Sequence, residues 1–81
     1  MIYFRHLGED LYKATGDYNG VEFRANIRAF GETADILSMY RMVRPEGKTS
    51  YWREIPLTSM HLLKAAIQRE FRKQSRNFNG S

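Results

Sequence analysis

This 81-residue chain predicts an α+β fold: an antiparallel β-meander of four to five strands with one C-terminal amphipathic helix packed on one face. Three observations carry that expectation. Turn signals at Gly8-Glu9-Asp10, Asn19-Gly20, Gly31-Glu32 and Pro45-Glu46-Gly47 cut the first two thirds into short β-type runs. Helical periodicity appears only after Pro56. Charge is also segregated. Residues 1–57 carry eight basic and eight acidic side chains, whereas residues 58–81 carry Lys64, Arg69, Arg72, Lys73 and Arg76 against Glu70 alone. The whole net charge of +4 therefore lies in the C-terminal segment.

Residues 2–7 and 11–16 form the first hairpin, divided at Gly8-Glu9-Asp10. Asn19-Gly20 follows, a hairpin signal because both residues accept positive φ. In the next strand Val21, Phe23, Ala25, Ile27 and Ala29 alternate with Glu22, Arg24, Asn26 and Arg28. Period two means one dry face and one wet face. Residues 34–44 differ. Ile36, Ser38, Tyr40 and Met42 occupy one phase and Leu37, Met39, Arg41 and Val43 the other, so both are largely apolar. That pattern predicts a central strand covered on both faces. Residues 49–55 form the last strand, ended by Pro56.

The helix is expected to start at Thr58 or Ser59, both good N-caps, with Leu57 and Leu62 at the positions of a hydrophobic staple. Met60, Leu63, Ile67 and Phe71 form its core stripe. Residues 1–74 read as one domain and 75–81 as a flexible tail without pattern. A core this thin would gain from homodimerisation.

Composition excludes several classes. With no cysteine, there is no disulfide scaffold, thiolate zinc site or cysteine nucleophile. No apolar run approaches the roughly 20 residues of a membrane span, and residues 1–7, with Arg5 and His6, lack signal-peptide character. A cytoplasmic protein without a membrane partner is expected. His6 and His61 are too few for a histidine metal site, and Glu9-Asp10 suits a solvated turn. No phosphate loop, HExxH helix or GxSxG elbow is present, so neither enzyme activity nor a cofactor is expected. Asn79-Gly80-Ser81 matches a glycosylation acceptor that a cytoplasmic chain would not use.

Arg69, Arg72, Lys73 and Arg76 recur on one helix face, opposite the core stripe. Their sign suits nucleic-acid phosphates, and arginine grips phosphate bidentately. Arg24 and Arg28 of the sheet are candidate assistants. The same stripe also suits a solvated face that offsets the helix dipole. Tyr40, Tyr51 and Trp52, interleaved with Arg41 and Arg53, fit either cross-strand packing or a stacking platform for single strands.

The leading expectation is a small non-enzymatic nucleic-acid-binding accessory protein of bacterial or phage type. The alternative is an interaction module or inhibitor that docks on an acidic or apolar protein surface through its sheet. Its interface would comprise Leu37, Met39, Arg41 and Val43.

The strand–turn–strand–helix order through Gly47-Lys48, Tyr51-Trp52 and residues 58–71 is similar in layout to small DNA-binding domains at the N-termini of some tyrosine integrases. There a three-stranded sheet enters the major groove. The resemblance spans about half the chain, rests on element order and assigns no residue. It departs from that layout in placing the net charge on the helix.

Overall fold

The computed structural model describes the backbone of residues 1–79 and the side chains of residues 1–76. Five strands, β1 (Ile2–Gly8), β2 (Leu11–Tyr18), β3 (Val21–Phe30), β4 (Thr33–Val43) and β5 (Tyr51–Ile55), precede one helix, α1 (His61–Asn79). The strands form a single antiparallel sheet in the order β1-β2-β3-β4-β5. The expected α+β meander is therefore the observed fold, with five strands rather than three beside the helix.

Alternation decides which side chains meet the helix. Phe4, Ala14, Ala25 and Met39 stand in one cross-strand row, and Tyr12, Ile27 and Ile36 in the next. These, with Ile2, Phe23, Ala34 and Ile55, face Leu63, Ala66, Ile67 and Phe71 of α1 in one core. Phe71 sits edge-on to Phe4 and Tyr12, each ring centroid 5.2 Å away. Polar side chains tie the helix to strand backbone on both sides. Gln74 donates to the Ile2 carbonyl at 3.1 Å and Gln68 to the Ala34 carbonyl at 3.2 Å.

The mixed pattern of β4 has a different cause from coverage on both faces. Asn26 pairs with Ser38 but Ile27 pairs with Ile36, so Leu37 is an extra, bulged residue. The bulge swaps the phase of the strand midway. Ile36 before it and Met39 after it both face the helix. Ser38, Tyr40 and Met42 face away and have no second layer over them. Residues 1–8 do not fold over that face either, because β1 is an edge strand beside β2.

The helix begins later than expected. Ser59 N–H donates to the Pro56 carbonyl at 2.9 Å, so Thr58 and Ser59 are spent on a turn. The first helical bond runs from Lys64 N–H to the Met60 carbonyl at 3.1 Å, which makes Met60 the cap, at a φ of 54°. Shifting the start by one or two residues removes the Leu57–Leu62 staple, since the staple offsets now fall on Ser59 and Lys64. Leu62 is accordingly 72% exposed. At the other end α1 runs through residues 75–79, with Ser75 buried and its hydroxyl donating to the Arg72 carbonyl at 3.0 Å. Gly80 and Ser81, the end of the Asn79-Gly80-Ser81 match, lie outside the described residues.

Two glycines separate turn chemistry from close packing. Asn19 and Gly20 take φ of 49° and 81°, the left-handed pair that a two-residue hairpin turn requires. Gly16 takes φ of 152° inside β2, where an added Cβ would lie 2.0 Å from the Met1 carbonyl oxygen. Gly16→Ala is expected to lower urea-unfolding stability by about 2 kcal/mol or more. Gly20→Ala, with open space around it, should cost about 1 kcal/mol. Equal losses would contradict the close approach of residue 1 to Gly16.

Candidate nucleic-acid interfaces

The four helix cations share one outward face. Arg69, Arg72, Lys73 and Arg76 are all exposed on α1, at offsets that return every turn to the same side. Arg76 lies 3.5 Å from Glu32 of the β3–β4 turn. Among the described residues the other three make no ion pair within 4 Å. Glu70, the helix's acid, is half-buried and accepts from Gln74 at 3.1 Å rather than standing among them. From Arg69 to Arg76 the stripe is about 10 Å long.

Arg24 and Arg28 do not join this surface. Phe23, Ala25 and Ile27 face the helix, so period-two alternation sends Arg24 and Arg28 to the opposite side of the sheet. Arg28 there sits 3.6 Å from Asp10. Among the described residues Arg24 has no carboxylate within 4 Å. Its guanidinium lies over the Trp52 ring, 4.6 Å from the centroid, and 5.3 Å from that of Tyr40.

The uncovered sheet face has an ordered composition. One row across it reads Tyr3, Thr15, Arg24, Tyr40, Glu54, and the next Arg5, Lys13, Asn26, Ser38. Asn26 donates to the Ser38 hydroxyl at 2.8 Å. Arg5 and Lys13 stand directly opposite one another with no acid between them, and like charges so placed oppose pairing. The acids on this side stand at the ends of the strands, Asp10 beside Arg28 among them and Asp17 and Glu22 near Trp52. Asp17 bonds the Met1 amine at 3.3 Å and Glu22 accepts from Arg44 at 2.6 Å. Asp35 and Glu54 complete the set.

The aromatic platform expected from sequence is split by the sheet. Tyr40 and Trp52 are on the uncovered face, but Tyr51 pairs with Val43 on the helix side. Arg41 and Arg53 are also on the helix side, directly opposite each other and exposed. The cation that meets the aromatics is Arg24 of β3, which only the strand register identifies.

The expected protein interface on β4 is not assembled. Met39 is fully buried against the helix and Val43 is half-buried, because both face α1. Leu37, in the bulge, is 41% exposed, and Arg41 stands beside Arg53. A different apolar set is accessible and was missed from sequence, because the staple was expected to close it. Tyr18, Val21, Met60 and Leu62, above the buried Leu63, line a hollow of about 410 Å³ where the β2–β3 turn meets the start of α1.

Among the described residues no group of three or more histidine, acidic or cysteine side chains is placed to hold a metal ion, and no helix is long and apolar enough to cross a membrane. No family model, curated protein or solved structure matches the chain.

Removing the Arg24 guanidinium should uncover the indole beneath it. Arg24→Gln is expected to shift Trp52 emission to longer wavelength and lower stability by about 1 kcal/mol. An unchanged spectrum would contradict the stacked geometry.

Proposed function

We propose that this protein binds nucleic acid, non-enzymatically, through the basic face of α1, with Arg69, Arg72, Lys73 and Arg76 neutralising phosphates. One observation carries the proposal: four exposed cations share one helix face, with Glu32 of the β3–β4 turn meeting it at Arg76. Clustered cations of this kind release condensed counterions when they meet a polyanion. Such contacts position a protein on a duplex without reading bases. Arg76 joins by exchanging an exposed pairing with Glu32, which costs little. Arg24 and Arg28 are left out of this surface, because the sheet stands between them and the helix face. The β4 protein interface is the weaker reading, since its discriminating residue Met39 belongs to the core.

Four phosphate contacts imply a slope of about −3.6 for log affinity against log salt on duplex DNA. Raising salt from about 50 to about 200 mM should then weaken binding about a hundredfold. Replacing all four cations by glutamine should abolish duplex binding while leaving the urea midpoint nearly unchanged, as these side chains are all exposed. Retained affinity in that variant would overturn the proposal.

A further inference from the structure

We infer that the uncovered face of the sheet is a second binding surface, specific for single-stranded nucleic acid. Arg24, Trp52, Tyr40 and Tyr3 would take bases, and Arg5 and Lys13 phosphates. This surface lies on the side of the sheet away from α1, and its case does not depend on the helix.

The recognition of a single strand needs two things together: flat groups on which unstacked bases can lie, and cations that track the backbone. The face supplies both. Trp52, Tyr40 and Arg24 already form a stacked group, with the guanidinium 4.6 Å from the indole centroid. Arginine planes stack bases as aromatic rings do. A concavity of about 400 Å³ opens beside the indole, lined by Thr15, Gly16, Asp17, Glu22, Phe23 and Trp52. Tyr3 is 60% exposed and stands two strands from Arg24 in the same row, about 10 Å away.

Arg5 and Lys13 occupy the adjoining row. Their direct opposition weakens the β1–β2 pairing, and no neighbouring carboxylate offsets it. A phosphate between them would turn that repulsion into a bidentate clamp. Duplex backbone fits less well. Stacking requires bases free of their partners, and a sheet face about 14 Å across from β1 to β4 presents its aromatics flat rather than as an edge for a groove.

The other occupants of a bare sheet face match it poorly. A protein interface keeps charge out of its centre, whereas here Lys13 and Arg24 stand on the interior strands β2 and β3, with Arg5 beside Lys13 on β1. A second copy packed face to face would have to neutralise the same three cations on each side. Asp10, Asp17 and Glu22 are already engaged, which leaves Asp35 and Glu54 at the margins for that purpose.

Trp52 is the chain's single tryptophan and lies on this face, so its emission reports the site directly. The test is a fluorescence titration of the full chain with an oligo-dT of about 16 nucleotides, in parallel with anisotropy of the labelled oligonucleotide. Saturable quenching of Trp52 is expected, and it should persist in the variant with all four helix cations changed to glutamine. Arg5→Gln with Lys13→Gln should lower the salt slope by about 1.4, two single-strand contacts' worth. Tyr3→Ala should weaken binding about tenfold, with the fold intact because the ring is exposed. Binding without quenching, lost on changing the helix cations, would overturn the sheet site and leave the helix reading standing. No binding of the oligo-dT at about 50 mM salt would overturn the sheet site and leave the helix reading to its own duplex titration. A concentration-dependent shift of Trp52 emission without oligonucleotide would identify a second copy as the occupant and overturn the assignment.

Discussion

One helix can cover one face of a five-stranded sheet, and α1 is the one helix among the described residues. That constraint organises the whole molecule. Leu63, Ile67 and Phe71 are fully buried against Phe23, Ile27 and Met39, so the dry phase of every strand must point to the same side. Strand β4 meets this demand only through its bulge. Were β4 regular through Leu37, Ile36 and Met39, three positions apart, would fall on opposite faces, and one of them would be left in water. The bulge is therefore part of the core's construction.

The same constraint leaves two polar surfaces back to back. On one side is the outer face of α1, with Arg69, Arg72, Lys73 and Arg76. On the other is the bare sheet, with Arg5, Lys13 and Arg24 among Tyr3, Tyr40 and Trp52. The sheet and its core separate them, so one straight segment of nucleic acid cannot lie on both. Their chemistry differs accordingly. The helix face offers charge without aromatic rings and suits phosphates alone. The sheet face offers rings with a few cations and suits exposed bases. A protein with both could hold a duplex and a displaced strand at once, or two segments of one folded RNA.

Much of the fold was legible from local chemistry. The Asn19-Gly20 turn, the nine-residue alternation beginning at Val21 and the spacing of Leu63, Ile67 and Phe71 each carry their own physical signature, and each stands where that signature points. Three features were not legible. A bulge and a doubly covered strand produce the same sequence, apolar in both phases, so Leu37 could not be identified without its partner strand. Thr58 and Ser59 look like caps, but Pro56 draws both into a turn and hands the first helical carbonyl to Met60. The Arg24–Trp52 stack joins residues 28 positions apart across two strand boundaries, and only register brings them together. The helix stripe, in contrast, was readable in full because its four cations lie on one element.

The most direct measurement is an amide chemical-shift map of the isotope-labelled protein titrated with single-stranded oligonucleotide at low salt. Two separate groups of perturbed residues are expected, one at 69–76 on the helix and one at Tyr3, Arg5, Lys13, Arg24, Tyr40 and Trp52 on the sheet. Shifts confined to Leu37 or to the hollow around Met60 and Leu62, or no shifts at all, would contradict an organisation in which the single helix leaves two nucleic-acid surfaces on opposite sides.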